Sequence, residues 1–119
     1  MKYFIVYLLS FVVTAAPSSD KLTGRWETKP SVKGNVTGIV FKEDNSFNGY
    51  INRKPFFTGT YALRDSLLSF VDNGCAGVGA TYVVRFFSNS DSIRFAVVSD
   101  SCAERRGGME RIVLGRVKS

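Results

Sequence analysis

Segments rich in β-branched and aromatic residues recur about every ten residues along most of the chain, with turn-forming residues between them. This spacing is typical of an all-β sandwich or barrel in which each short strand pairs with the next. We therefore predict eight strands and almost no helix. The predicted strands span residues 23–30, 35–43, 46–53, 56–63, 67–72, 80–88, 92–99 and 109–117.

The connections between these segments predict tight antiparallel turns. Asn and Asp tolerate left-handed backbone, and Pro fixes φ. Such residues occupy Asp44-Asn45, 52–55, 64–66 and 89–91. Eight strands in up-and-down order close most economically into an antiparallel barrel, because closure removes the exposed sheet edges.

Period-2 alternation predicts which side chains lie inside. In the last six predicted strands they are mainly aromatic or aliphatic: Phe47, Ile51, Phe57, Tyr61, Leu68, Phe70, Tyr82, Val84, Phe86, Ile93, Phe95, Val97, Ile112 and Leu114. Arg85 and Arg94 then face solvent. So many interior rings favour a packed core, although a barrel of this size can hold one small ligand. In 35–43 the pattern fits Val36 with Val40 or Ile39 with Phe41, so an open β-sandwich is the alternative fold.

The N-terminus has the order of a secretory signal peptide. Lys2 precedes an apolar run over residues 3–13, interrupted only by Ser10, and small residues follow. The run is too short for a helix that must cross about 30 Å of hydrocarbon. We predict cleavage after Ala15 or Ala16, which makes 1–16 the signal peptide and 17–119 one exported barrel domain. The mature protein would have no transmembrane segment and would be secreted or periplasmic.

The basic charge predicts a solvated surface. The formal net charge of +6 becomes +5 when Lys2 is removed, and Lys and Arg are spread along the chain. Scattered charge of this kind predicts no nucleic-acid partner for an exported protein, and we expect a monomer. Attraction to anionic lipid headgroups or to an acidic protein partner is left open.

Cys75 and Cys102 are the two cysteines of the chain. Alternate connections of an up-and-down barrel lie at the same end, so both cysteines should project from one rim. Two cysteines in an exported protein usually pair. We predict a Cys75–Cys102 disulfide, which leaves no thiolate for catalysis.

Charged residues flank both cysteines. Asp72 and Asp100 each end a predicted strand, where an Asp side chain commonly accepts backbone N–H bonds in a turn. Arg105 and Arg106 can pair with these carboxylates or with Glu104. Alternatively, the two guanidinium groups form a rim that binds carboxylate or phosphate.

Phe56 is a further candidate for ligand contact. Its neighbour Phe57 takes an interior position, so Phe56 should be exposed near the same rim. With Arg105 and Arg106 it would form an apolar and cationic contact surface. The candidate ligand-binding residues are therefore Phe56, Asp72, Asp100, Arg105 and Arg106.

The chain has no histidine, which removes His-based triads, imidazole bases and nearly every common zinc site. It also lacks the glycine-rich phosphate-binding motifs and the G-x-S-x-G motif. A carboxylate pair for glycoside hydrolysis could come from Asp72, Asp100 and Glu104. The sequence nevertheless favours a non-enzymatic protein without a cofactor or a metal.

The stretch Thr23-Gly24-Arg25-Trp26 resembles the G-x-W signature in the first strand of lipocalins and their calycin relatives. The resemblance implies that Gly24 is structural, that Trp26 plugs one end of the barrel and that an arginine near the end of the last strand packs across it. Arg116 is the expected partner and Arg111 the second choice. The resemblance makes these residues structural.

Residues 59–106 are similar to small exported lipocalin-like domains of bacteria, in which T-D-x-G-x-C and D-x-C-x-x-R segments flank a hairpin. The positions that match are Asp72, Gly74, Cys75, Asp100, Cys102 and either Arg105 or Arg106. Val71 departs from the usual Thr.

The sequence thus predicts a secreted lipocalin-like protein that binds a small amphipathic, hydrophobic or anionic molecule at the disulfide-bearing rim. One alternative is a periplasmic or secreted protease inhibitor, or another protein-interaction module, whose segment 16–21 enters the partner. The other alternative is a structural surface domain.

Overall fold

The computed structural model describes residues 21–118, which form a closed barrel of eight antiparallel strands in chain order. The strands are β1 (Gly24–Glu27), β2 (Thr37–Phe41), β3 (Ser46–Ile51), β4 (Lys54–Arg64), β5 (Leu67–Asp72), β6 (Ala80–Phe87), β7 (Ser92–Ser99) and β8 (Val113–Arg116). A 3-10 turn covers Cys75–Gly77, and helix α1 covers Ala103–Arg111. The predicted signal peptide, residues 1–16, lies outside the described residues.

The predicted up-and-down barrel is confirmed, and the alternative open β-sandwich is wrong. Strand β1 pairs with β2 on one side and with β8 on the other, with Trp26 opposite Arg116 and Glu27 opposite Gly115. The turn residues contribute as expected, since Asn45, Asp65 and Asn89 have φ of 69°, 57° and 57°. Left-handed backbone at these positions allows the short reversals between consecutive strands.

The core is aromatic and fills most of the barrel. The Phe47 ring makes contacts with four other rings, those of Phe41, Phe57, Tyr61 and Phe70. Most of the side chains predicted to face inward are buried or packed against this core, whereas Ile51 is only half-buried. The packed interior fixes the side-chain alternation of the later strands.

Strand β2 turns Ile39 and Phe41 inward, which decides between the two patterns that its sequence allowed. Phe41 is 3% exposed, and Ile39 packs against the core. Gly38 lies on the opposite face, with Val40, and is paired with Tyr50 of β3. A Cβ at Gly38 would clash with the ring of Tyr50, so a larger residue here would require that ring to move.

Helix α1 corrects the predicted strand over residues 109–117. Residues 109–111 are helical, and β8 is only four residues long. No residue of α1 is buried, and Gly107 and Gly108 weaken the helix by about 1 kcal/mol each relative to alanine. The helix therefore has no amphipathic pattern that the sequence could reveal, and contacts of a few side chains with the barrel hold it.

Trp26 closes the end of the barrel at which β1 begins, and it is fully buried. The indole N–H donates to the Leu22 carbonyl at 2.8 Å. The Arg116 guanidinium lies 4.2 Å from the ring centroid and donates to the carbonyls of Lys21 and Thr23 at 2.8 and 3.3 Å. Arg116 thus links the last strand to the chain preceding β1.

We expect Arg116→Lys to lower the free energy of unfolding by about 1 to 2 kcal/mol, measured by urea denaturation. An ammonium group cannot stack a plane on the indole and reach several carbonyls at once. Arg94→Lys is the matched control, because Arg94 is exposed on β7 and should change stability by less than about 0.5 kcal/mol. Equal free energies of unfolding for the two variants would contradict the structural role of Arg116.

Candidate functional site

The opposite end of the barrel holds an internal cavity of about 80 Å³. Its wall includes Ile39 of β2, Phe57 of β4 and Phe95 of β7. Helix α1 contributes Arg105 and Met109, and Ile112 follows the helix. The wall is almost entirely apolar, and its polar residues are Thr37 and two members of the charged cluster described below, Asp72 and Arg105.

The predicted disulfide is confirmed at this end. Cys75 begins the 3-10 turn after β5, Cys102 lies directly before α1, and their Cα atoms are 5.9 Å apart. The bond ties the helix to the β5–β6 connection. Disulfides of this kind are typical of proteins that fold in oxidising compartments.

Asp72 and Asp100 stabilise the two chain reversals beside the disulfide. Asp72 Oδ1 accepts the N–H of Gly74 at 2.9 Å, and Asp100 Oδ1 accepts the N–H of Cys102 at 3.0 Å. Both residues are buried. Buried carboxylates need compensation from hydrogen bonds and opposite charge.

Arg105 supplies that compensation from the first turn of α1. Its Nε and Nη2 donate to the two carboxylate oxygens of Asp100 at 3.0 and 2.9 Å, and Nη1 lies 3.4 Å from Asp72 Oδ2. Nη2 also donates to the Val78 carbonyl at 2.9 Å, and the guanidinium lies 5.2 Å from the Phe70 ring centroid. An anion entering from solvent would therefore compete with two carboxylates for this guanidinium, whose side chain is only 9% exposed.

Tyr82 completes the cluster, because its hydroxyl donates to Asp100 Oδ2. Burial by itself would raise the pKa of Asp100, but the hydrogen bonds from Arg105, Tyr82 and the Cys102 N–H outweigh it and lower the pKa to about 2. Burial and the bond to the carboxylate raise the pKa of Tyr82. Asp100 is thus ionised and Tyr82 neutral at neutral pH.

The low pKa of Asp100 predicts acid sensitivity. The folded-state pKa of about 2 lies below the ordinary value of 3.8, so the ionised carboxylate stabilises the fold above about pH 4 and this contribution is lost towards pH 2. We expect about 2 to 3 kcal/mol to disappear over that interval in urea denaturation. Asp100→Asn should show a shallower pH dependence, whereas Asp65→Asn, in an exposed turn, should follow the unmodified protein. Parallel curves for all three proteins would contradict this assignment.

The two remaining candidate residues, Arg106 and Phe56, do not line the cavity. Arg106 is half-buried and donates from Nη1 to the Asp100 carbonyl at 2.8 Å. Phe56 is 65% exposed and packs edge-to-face on Phe57, with ring centroids 5.4 Å apart. The structure therefore joins Asp72, Asp100 and Arg105 in one charged cluster and leaves Phe56 outside it.

Sequence reasoning did not identify Tyr82 or Met109 as members of this site. Tyr82 was assigned to the interior, and a buried tyrosine hydroxyl usually needs a hydrogen-bond partner, which was the available signal. Met109 was missed because residues 109–117 were assigned to a strand. Its place on α1 brings it over the barrel interior.

The fold and this site define an all-β protein with a closed eight-stranded barrel, one end closed by a tryptophan and the other by a disulfide-tethered helix. This architecture is compatible with a lipocalin-like fold. Comparisons of the chain with protein families, curated proteins and solved structures give no significant match. Over residues 21–118, no helix has the length and apolar character needed to cross a membrane.

Proposed function

We propose that this protein is a secreted, non-enzymatic lipocalin-like binding protein for a small amphipathic molecule. The apolar part of the ligand would enter the cavity beneath α1, and its polar head would stay at the disulfide-bearing rim. The observation that carries this proposal is the apolar cavity at one end, with Asp72 and Arg105 in its wall, in a barrel whose other end is closed by Trp26. The disulfide and the order of residues 1–16 support secretion.

The cavity volume limits the part of the ligand that is enclosed. A cavity of about 80 Å³ is roughly half the size of the engineered apolar cavity of 150 Å³ that binds benzene. Drug-sized ligands usually occupy sites of about 300 Å³ or more. The cavity therefore suits the end of a short alkyl chain, and a larger ligand would have to displace α1.

The charge distribution favours an amphipathic ligand over a small inorganic anion. Arg105 faces Asp72 and Asp100, so the buried cluster has two negative groups for one positive group. A second anion placed beside these carboxylates would be repelled at short range. An anionic head would instead contact Arg106 or the exposed cations of the neighbouring loops.

We expect 1-hexanol or hexanoate to shift the methyl NMR signal of Met109 in a saturable manner. A chain that begins at Pro17 keeps every described residue, and Met109 is then its single methionine. Ile39→Phe should weaken binding by about tenfold or more, because the larger side chain fills the cavity. Val40→Phe is the matched control, since Val40 is the next residue on β2 and faces outward.

A saturable shift in the unmodified protein and in Val40→Phe, but not in Ile39→Phe, would support the cavity as the binding site. If neither alcohols nor carboxylates from four to eight carbons shift the Met109 methyl signal, the proposal is wrong. Native mass spectrometry of the secreted protein provides a second readout, because a ligand acquired during export would add mass to the intact protein.

The two alternatives from the sequence stay predictions. Of the segment 16–21 that would enter a protease or another partner, only Lys21 lies within the described residues. Capture of a protein partner by the chain from Pro17, and its loss when residues 17–21 are removed, would favour the inhibitor. A structural surface domain would show neither a ligand nor this dependence.

A further inference from the structure

Two neighbouring segments at the end of the barrel that α1 covers form one structural unit. They comprise residues 28–36, between β1 and β2, and residues 52–56, which form the β3–β4 turn and the first residues of β4. Asn52 joins them through its backbone N–H to the Val36 carbonyl at 2.8 Å, and its side chain accepts the Val36 N–H at 2.9 Å. The Asn52 amide also donates to Asn35 Oδ1 at 2.8 Å. We call these residues the two-loop platform.

The platform is uniformly basic. Lys29, Lys33, Arg53 and Lys54 are all exposed, and residues 28–36 and 52–56 contain no Asp or Glu. None of the four cations forms an ion pair with a carboxylate of residues 21–118. Their charges are therefore unneutralised within the described part of the chain and are available to an anionic surface.

The platform also presents two apolar side chains to solvent. Val32, in the middle of the longer loop, is fully exposed, and Phe56 is 65% exposed. Apolar side chains surrounded by Lys and Arg are the composition of protein segments that lie in the interface of a bilayer. The cations contact lipid headgroups, and the apolar side chains enter the boundary between headgroups and acyl chains.

We propose that the two-loop platform docks this end of the barrel onto a bilayer that contains anionic lipids. Val32 argues for lipid over nucleic acid, because an aliphatic side chain offers no surface on which bases stack. The proposal depends on the loops alone and does not require an occupied cavity. Docking would bring the cavity mouth to the membrane, because Phe57 and Thr37 adjoin the platform in sequence and line the cavity.

The test is co-sedimentation of the chain from Pro17 onward with vesicles, which avoids the apolar segment 3–13. The vesicles contain phosphatidylcholine alone or equal parts of phosphatidylcholine and phosphatidylglycerol. We expect binding to the anionic vesicles to be at least tenfold stronger and to weaken as salt is added.

Charge-reversal variants distinguish vesicle binding by the platform from attraction to the net positive charge of the whole protein. Lys33→Glu with Lys54→Glu should weaken binding to the anionic vesicles at least tenfold. Arg85→Glu with Arg94→Glu changes the net charge by the same amount at exposed cross-strand neighbours on β6 and β7. This pair should weaken binding to the anionic vesicles less than threefold. Equal losses in the two pairs would overturn the proposal in favour of nonspecific attraction.

A second pair of variants tests insertion. Val32→Ser with Phe56→Ser should weaken binding at least fivefold, whereas Phe87→Ser with Val98→Ser, on exposed parts of β6 and β7, should leave it unchanged. Circular dichroism and melting curves establish that each variant is folded.

Binding to single-stranded DNA or to an acidic polypeptide without binding to vesicles would also overturn the proposal. Failure of 1-hexanol to bind would not contradict the membrane-docking proposal, because the two experiments probe different residues.

Discussion

Arg105→Met should lower the free energy of unfolding at pH 7 by about 3 to 5 kcal/mol. The substitution keeps an unbranched side chain but removes the positive charge that faces Asp72 and Asp100. Both carboxylates would then be buried without a cationic partner, and breaking a buried ion pair by removing one member is strongly destabilising. Urea denaturation followed by circular dichroism measures the change.

The pH dependence of this variant identifies the cause. Without the guanidinium, burial of Asp100 is opposed by fewer hydrogen bonds, so its pKa should rise. Because burial is the largest single influence on this pKa, we expect the new value to exceed the ordinary 3.8. The variant then gains stability as pH falls through the new pKa towards 3.8, whereas the unmodified protein loses stability as pH falls below about 4. Arg106→Met is the matched control, because Arg106 makes one hydrogen bond to a carbonyl and faces no buried carboxylate pair.

A further variant separates charge from packing. Arg105→Met combined with Asp72→Asn and Asp100→Asn removes all three charges, and it should recover part of the lost stability, because replacing a whole buried ion cluster costs less than orphaning one member. If Arg105→Met is as stable as Arg106→Met at pH 7, the charged cluster does not stabilise this end of the barrel.

Removing the disulfide by Cys75→Ala with Cys102→Ala should lower the free energy of unfolding by about 3 to 4 kcal/mol. The two cysteines are 27 residues apart, and the cross-link restricts that length of chain in the unfolded state. For a domain of this size, the melting temperature should fall by more than about 10 °C. Differential scanning calorimetry of the variant and of the unmodified protein gives the comparison.

Reduction of the unmodified protein supplies the control for the substitutions themselves. Dithiothreitol should lower its melting temperature by a similar amount and leave that of the double variant unchanged. Hydrogen exchange should show the largest loss of protection in α1, because Cys102 precedes the helix and few buried contacts hold it. A melting temperature within about 2 °C of the unmodified protein would contradict the stabilising role.

The barrel was predictable because each strand carries its own local signal. Alternation placed Phe47, Tyr82 and Ile93 inside, and all three are buried. Asn and Asp marked the turns between the strands. Closure of the barrel follows when every hairpin pairs two strands that are consecutive in the chain. The spacing of the connections then placed Cys75 and Cys102 at one rim before any distance was known.

Helix α1 and the cavity beneath it could not be predicted in the same way. The segment Ala103–Arg111 contains two glycines and five charged residues, so neither propensity nor periodicity distinguishes it from a loop. The disulfide at its N-terminus, Arg105 and Met109 join it to the barrel, and their contacts link residues far apart in the chain. The position of Met109 over the interior follows from that helix alone.

The sequence by itself determined the number of strands, their antiparallel order and the pairing of the two cysteines. These features depend on residue patterns within about ten positions and on connectivity. The tertiary structure alone decided that Arg105 lies between Asp72 and Asp100 and that the Tyr82 hydroxyl donates to Asp100. It also decided that the segments 28–36 and 52–56 form one basic platform. Such contacts join residues far apart in the chain, and their partners are selected by the geometry of the closed barrel and by the cost of burying unpaired charge.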